Sequence, residues 1–219
     1  MAVSGELQGA FPEDTLQVLL DSNAIIQNDH FVYISGAHGS GWIDKDAIYP
    51  HTDRVQHLCR NLGRVVRDRN IEVVCGPATG GLIIAEWTSH EIGALSTFTD
   101  HELPKAGELR GKFVLRRGYD HLVAGKRVLV VDDIVNTGYS IRQTIDAVRG
   151  ARGEVVAAAA LVSRGNVGAE GLGVEEYLYL LEFKIPAWPA DQCPLCATSV
   201  PVNTQYAHGA DFLAARSKA

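Results

Sequence analysis

The chain has no apolar run long enough to cross a bilayer. Its longest stretch of small apolar residues, 155–162, is far short of the about 20 residues that a spanning helix needs. It has no excess of basic charge either. Lys and Arg number 20 against 26 Asp and Glu, a formal net charge of −6, which argues against a non-specific nucleic-acid binder. Cysteine is scarce: four in 219 residues do not make a disulfide framework. The opening stretch, MAVSGELQGAFPED, lacks the positive segment and apolar core of a secretory leader. No internal repeat and no low-complexity segment is present. These absences lead us to expect a cytoplasmic protein with neither membrane nor nucleic acid as a partner. A hydrophobic fraction of 46% and a charged fraction of 21% are ordinary for a globular chain of this length.

The most informative stretch is 127–150, RVLVVDDIVNTGYSIRQTIDAVRG. Val128, Leu129, Val130 and Val131 form an unbroken apolar run, which suits a strand buried on both faces of a parallel sheet. Asp132 and Asp133 follow, then Ile134 and Val135, then a polar turn of Asn136, Thr137 and Gly138, then Tyr139 and Ser140. Ile141, Ile145 and Val148 recur at helical spacing, and Gly150 is a stop signal. The order is strand, acidic pair, hydroxyl-and-glycine turn, helix. A helix N-terminus offers unpaired N–H groups and partial positive charge, both suited to a phosphate. Gly138 permits close backbone approach, and Thr137 and Ser140 add hydroxyls. The two carboxylates would repel a phosphate, but they can accept strong hydrogen bonds from ribose hydroxyls. One turn can therefore hold both ends of a ribose 5-phosphate. The other reading is a generic strand-to-helix turn with solvated Asp caps.

VLVVDDIVNTGYS resembles the phosphoribosyl-diphosphate (PRPP) binding motif of type I phosphoribosyltransferases. Asn136 stands where that family usually has Thr, Ser or Ala. The resemblance implies PRPP contacts from Asp132, Asp133, Val135, Asn136, Thr137, Gly138, Tyr139 and Ser140. It also implies Mg²⁺ on the pyrophosphate and ribose hydroxyls, and a homodimer.

The remaining chain fits an α/β pattern. Residues 13–22 read as a helix. Residues 30–44 read as a hairpin, and 52–69 as a helix with an apolar stripe of Val55, Leu58, Cys59, Leu62, Val65 and Val66. Cys59 on that stripe is expected to be a buried, inert thiol. A strand over 71–75 leads into the glycine-rich turn 76–81 and another helix. Such a turn is a second anion cradle, or else serves packing alone. Beside the central motif it resembles the family's pyrophosphate loop, which would place Thr79, Gly80 and Gly81 on PRPP. After a short strand over 95–99, residues 100–111 read as a polar loop. Lys105, Arg110, Lys112, Arg116 and Arg117 form a cationic group suited to a departing pyrophosphate, or simply a solvated charged loop. LRRG at 115–118 looks like a shorter-loop variant of the family. Lys105 is the catalytic candidate there, beside Asp132 and Asp133, and Arg117 a PRPP contact. Strands are expected over 155–162 and 177–181.

Phe31, Ser35, Gly36 and Ser40 are similar to the N-terminal region of orotate phosphoribosyltransferases, which helps form the base pocket; Ile34 stands where some members have Lys. A hairpin that merely covers apolar surface is the alternative. Arg164 matches the arginine that those enzymes set against the substrate carboxylate, and Ser163 replaces the family's Asp. Phe31, Ser35 and Arg164 are thus the base-binding candidates. The tail holds Cys193 and Cys196, half of a zinc site by spacing, with His208 as a conceivable third ligand. We favour a reduced structural pair there and assign no metal ligand.

The expected fold is α/β, a mainly parallel central sheet flanked by helices, Rossmann-like, with a small N-terminal hood. Residues 1–50 would form the hood, 51–183 the PRPP-binding core, and 184–219 a tail packing on that core. The expected activity is phosphoribosyl transfer from PRPP to a pyrimidine base, foremost orotate, giving orotidine 5′-monophosphate and pyrophosphate. Transfer to another nucleobase, and a non-catalytic PRPP sensor, are the alternatives.

Overall fold

The hydrophobic spacing along the chain dictates its elements. In the computed structural model, which describes residues 7–104 and 111–216, helix α1 (Pro12–Asp21) opens with Pro at its first position and Glu13 and Asp14 in its first turn. The hairpin strands β1 (Ile25–Val32) and β2 (His38–Ile43) follow. Helix α2 (Thr52–Val66) buries Val55, Leu58, Cys59, Leu62 and Val66 of the stripe read from the sequence, with Val65 half-buried at its edge. Next come β3 (Val73–Pro77), α3 (Gly80–Ile92), β4 (Leu95–Glu102), β5 (Lys112–Leu115) and the short α4 (Tyr119–Val123). Strand β6 (Arg127–Val135), α5 (Tyr139–Gly150) and β7 (Glu154–Ser163) form a βαβ unit, followed by α6 (Ala169–Leu172) and β8 (Tyr177–Glu182). The C-terminal part holds β9 (Ala187–Trp188), α7 (Pro194–Ala197) and α8 (Gly209–Arg216).

The chain divides into two compact units, Met1–Val18 with His51–Phe183, and Leu19–Pro50 with Lys184–Ala219. The first is the α/β unit. Its six-stranded sheet has the order β5-β4-β3-β6-β7-β8, and only β5 runs antiparallel to its neighbour. The expected mainly parallel α/β fold is thus observed. Val128, Leu129, Val130 and Val131 are fully buried at the centre of this sheet. Helix α5 packs one face of it through Ile141, Ile145 and Val148, all fully buried. Each such side chain contributes roughly 1.5–3 kcal/mol. Helix α2 lies against α3, β7 and β8.

Two expectations need correction. Residues 100–111 read as loop, yet Asp100, His101 and Glu102 continue β4 and pair with Val114, Phe113 and Lys112 of β5. Their polarity concealed an edge hairpin whose ladder needs only backbone groups; Arg116 and Glu102, 3.1 Å apart, add a cross-strand ion pair. Strand β6 also runs past its apolar stretch, through both aspartates to Val135.

The second unit is built on the antiparallel sheet β1-β2-β9. The hairpin and the residues from Lys184 onward, expected as separate pieces, form this one unit. Asn203 N–H donates to the His30 carbonyl (2.7 Å) and His208 N–H to that of Val32 (2.9 Å), so the tail runs along β1. Among the described residues no helix is long and apolar enough to cross a membrane.

Candidate active site

Strand order locates a crevice. The chain passes from β3 to β4 on one side, then returns to lay β6 on the other side of β3. Loops leaving the carboxyl ends of β3 and β6 therefore diverge, and such a switch point is where open parallel sheets bind ligands. Those loops are 76–81, the glycine-rich turn, and 136–138, the polar turn, both singled out in the sequence. Val73, Val74 and Cys75 pair with Val128, Leu129 and Val130, so Gly76 and Pro77 end level with Val131 and Asp132.

Residues 132–141 close round a cavity of about 120 Å³, lined by Asp132, Ile134, Val135, Asn136, Thr137, Gly138, Tyr139, Ser140 and Ile141. This is room for about four waters at bulk density, hence for a small tetrahedral anion. Asp132 and Asp133 are 8% and 6% exposed. Asp132 Oδ1 accepts from Asp133 N–H (3.0 Å) and Asp133 Oδ1 from Ile134 N–H (2.5 Å), which orients each carboxylate. Side chains alternate along a strand, so the two acids leave β6 on opposite faces. Asp132 lines the cavity, and Asp133 is not among its lining residues.

Gly138 caps α5 with φ +74°, a left-handed conformation suited to glycine. A methyl group there would also sit 2.6 Å from Leu172 Cδ2 and 3.2 Å from Val167 Cγ1. The first turn of α5 carries no acidic side chain to neutralise its positive end. Tyr139 donates its hydroxyl proton to the Gly111 carbonyl at 2.5 Å, which ties the residue before β5 to the start of α5.

The other turn packs by contact that only glycine permits. A Cβ on Gly76 would overlap the Gly81 carbonyl, and one on Gly81 would lie 2.5 Å from Pro77 Cδ and 3.0 Å from the Val131 carbonyl. Gly81 thus rests on β6 one residue before Asp132. Gly80 and Gly81 are buried and Thr79 is exposed. The Ala78–Thr79 peptide is cis, and Ala78 N–H donates to the Thr99 carbonyl at 2.9 Å.

Arg164 shares this edge of the sheet: its N–H donates to the Val135 carbonyl at 2.8 Å, directly after Ser163 pairs with Val135. Ser163 Oγ accepts from Gly165 N–H at 3.2 Å, which shapes the turn after β7. Arg117 donates to the Asp100 carboxylate, and its guanidinium lies 5.2 Å from the centre of the Phe98 ring, so it is held to β4. Lys105 and Arg110 lie outside the described residues. Phe31 and Ser35 belong to the second unit. Phe31 is fully buried, its ring 6.3 Å from that of Trp42, so it supports the hairpin and lines no surface. Ser35 is exposed and borders a shallow groove of about 450 Å³ with Trp188 and Pro189.

Some contributors escaped the sequence reading. Asn166 Nδ2 donates to Asn136 Oδ1 at 2.6 Å, so the turn after β7 braces the turn after β6. Thr99 and Thr144 share a buried hydroxyl contact of 2.8 Å that fixes α5 against β4. The only sequence signal was the polar character of Asn166 beside Gly165. Burial pushes the Cys59 and Cys75 thiols up to about 12, and neither is a thiolate nucleophile.

Comparison with known proteins agrees with this geometry. The family model described as phosphoribosyl transferase domain matches residues 44–172. The orotate phosphoribosyltransferase of Brucella ovis is 36% identical over 192 residues, covering 86% of this chain and 94% of that relative. Among solved structures, the orotate phosphoribosyltransferase of Aeropyrum pernix is similar with a TM-score of 0.59 at 27% identity, covering 75% of this chain and 92% of that one. The Mycobacterium tuberculosis orotate phosphoribosyltransferase in complex with inorganic phosphate shares the fold, with a TM-score of 0.57 at 24% identity over 78% and 96% of the two chains.

Proposed function

From a chain that belongs to the phosphoribosyltransferase family, among relatives named orotate phosphoribosyltransferase, we infer an enzyme that transfers the phosphoribosyl group of PRPP to orotate. The products are orotidine 5′-monophosphate and pyrophosphate. The observation that carries this reading is the pocket at the switch point, where a hydroxyl-bearing turn closes round a small cavity lined by the oriented carboxylate of Asp132, with Asp133 next along β6.

The 5-phosphate sits in that turn, on the N–H groups at the start of α5 and the hydroxyls of Thr137 and Ser140. Asp132 and Asp133 take the ribose hydroxyls as charged acceptors. As the bond from the anomeric carbon to pyrophosphate breaks, the departing oxygen keeps the electron pair, a ring nitrogen of the base supplies the pair for the new bond, and the proton that nitrogen carried passes to solvent or to the departing pyrophosphate. Positive character on the sugar is stabilised by the nearby carboxylates. The 76–81 turn receives the pyrophosphate, with Lys105 as a cationic helper. Arg164 pairs with the carboxylate of orotate, a role suited to its planar fork.

Two carboxylates are few ligands for Mg²⁺, and they fit an ion that completes its shell with substrate oxygens and water. Bound with PRPP, Mg²⁺ supplies charge neutralisation for the pyrophosphate. We further infer a homodimer and a cytoplasmic location.

The test is turnover of orotate, uracil, adenine and hypoxanthine with PRPP and Mg²⁺, read as pyrophosphate release. Orotate should be strongly preferred. Preference for another base would move Arg164 out of the base site, and PRPP binding without turnover of any base would leave a sensor in place of an enzyme.

A further inference from the structure

Four soft or borderline donors meet inside the second unit. His30 Nε2, His38 Nδ1, Cys193 Sγ and Cys196 Sγ all lie within 4.8 Å of one another. We propose that these four residues bind one zinc ion, which ties the β1–β2 hairpin to the C-terminal segment.

Strand pairing explains how two histidines reach one point. His38 pairs with Val32 across the hairpin, and His30 lies two residues before Val32 where the register shifts between Gln27 and Phe31, which brings the two rings to a centroid distance of 4.9 Å. Cys193 precedes α7 and Cys196 lies within it, which gives the two-residue spacing of a zinc knuckle. His30 and Cys193 are 163 positions apart, so no local pattern joins them. His30, His38 and Cys193 are buried.

The distances fit a tetrahedral ion. With metal–nitrogen bonds of about 2.0–2.1 Å and metal–sulfur bonds of about 2.3 Å, ligand atoms stand about 3.5 Å apart for N···S and about 3.3 Å for N···N. The observed N···S distances are 3.6 Å (Cys193 to His30), 3.7 Å (Cys196 to His30) and 3.3 Å (Cys196 to His38). The His30–His38 distance, 2.8 Å, is about half an ångström short of the ideal.

A central cation accounts directly for the crowding at His30. His30 Nδ1 lies 2.8 Å from the Val200 carbonyl, which only accepts, so Nδ1 carries a proton. In the neutral ring Nε2 then offers a single lone pair. Three groups crowd that lone pair: His38 at 2.8 Å and the two thiols at 3.6 and 3.7 Å. One lone pair cannot serve three donors, whereas a central cation engages all four groups as acceptors. The bond from His30 to Val200 is also the outer contact that metal-bound histidines characteristically make.

The unit gains from such a tie. Its two stretches, Leu19–Pro50 and Lys184–Ala219, come together to about 70 residues, a size at which a single apolar core is marginal and a metal staple is common. Two sulfurs and two imidazoles in tetrahedral array select zinc among common ions, and four protein ligands make the site structural. His208, the histidine nearest the cysteines in sequence, is instead 3.5 Å from Asp211.

The test begins with the full chain purified under reducing conditions without chelator. Elemental analysis should find one zinc per chain, and Co²⁺ exchange should give the intense visible bands of a tetrahedral site with sulfur-to-metal charge transfer. Cys193 and Cys196 should react with a thiol reagent only after chelation. Cys196→Ser and His38→Ala should lose the metal, and His208→Ala should keep it. Protein without zinc, with no tetrahedral Co²⁺ spectrum on reconstitution and equal thiol reactivity with and without chelator, would overturn the proposal. So would loss of the metal in His208→Ala with retention in Cys196→Ser. Should the ligand variants fail to fold, the stoichiometry and Co²⁺ spectrum of the wild-type chain decide.

Discussion

Replacing Gly138 by Ala probes the phosphate turn at its tightest point. Holding φ near +74° costs a residue with a Cβ about 1–2 kcal/mol. The added methyl would also meet Leu172 Cδ2 at 2.6 Å and Val167 Cγ1 at 3.2 Å, and crowding of that kind adds about 1–3 kcal/mol. The sum is about 2–5 kcal/mol of lost stability. Gly93 supplies an internal control. It ends α3 with φ +72°, but a Cβ there meets nothing within 4 Å. Gly93→Ala should therefore cost only the conformational part, about 1–2 kcal/mol. Urea unfolding followed by circular dichroism measures both, and calorimetric titration with PRPP and Mg²⁺ measures binding. If Leu172 and Val167 push the turn outward, Gly138→Ala weakens PRPP binding about tenfold or more, or about 1.4 kcal/mol. Gly93→Ala leaves it unchanged. Equal destabilisation of the two variants would refute the crowding, and unaltered PRPP affinity in Gly138→Ala would refute the cradle.

Asp133→Asn keeps the oxygen that accepts from Ile134 N–H but loses the charge, so turnover should fall roughly 10- to 150-fold with an unchanged circular dichroism spectrum. Arg164→Lys should raise the KM for orotate about tenfold or more and spare the KM for PRPP, because an ammonium cannot fork onto a carboxylate. Glu176 is paired with Arg69 through two contacts of 2.6 Å, and that hydrogen bonding holds its carboxyl below the usual value of 4.5. The folded state therefore gains from this pair above the ordinary carboxylate range and loses the gain as pH falls through the lowered folded value. Glu176→Gln should cost roughly 0.5 kcal/mol at neutral pH, since the pair is partly exposed and screened, and nothing in acid; unfolding curves at both pH values check it. Cys59 and Cys75, with thiols raised to about 12, should resist iodoacetamide at pH 8 in the folded protein and react after denaturation, as peptide mass spectrometry would report.

The parts that could be read from sequence were those where local chemistry and the fold coincide. Val128, Leu129, Val130 and Val131 could hardly be anything but a buried strand, and Gly138 marked the turn because its backbone angle demands glycine. The α2 stripe was equally plain, since one face of a helix meets the core at regular spacing. Strand β5 was hidden because an edge strand needs backbone partners more than apolar side chains, and Asp100 and Glu102 looked like loop. Arg117 looked available to an anion, yet Asp100 engages it across the hairpin, a pairing that no linear pattern foretells. Phe31 matched a base-pocket pattern, but its ring is enclosed beside Trp42. The histidine–cysteine cluster was beyond reach for a different reason. Cys193 and Cys196 were visible as a pair, while His30 and His38 join them only once the hairpin is folded and the C-terminal segment returns to it.

The most direct measurement is a crystal structure of the chain soaked with PRPP and Mg²⁺. The 5-phosphate should lie within hydrogen-bond reach of the backbone N–H groups of residues 137–140, with ribose hydroxyls on the carboxylates of Asp132 and Asp133. Density for PRPP elsewhere, or a phosphate in this turn with both carboxylates directed away from the sugar, would end the case for this site.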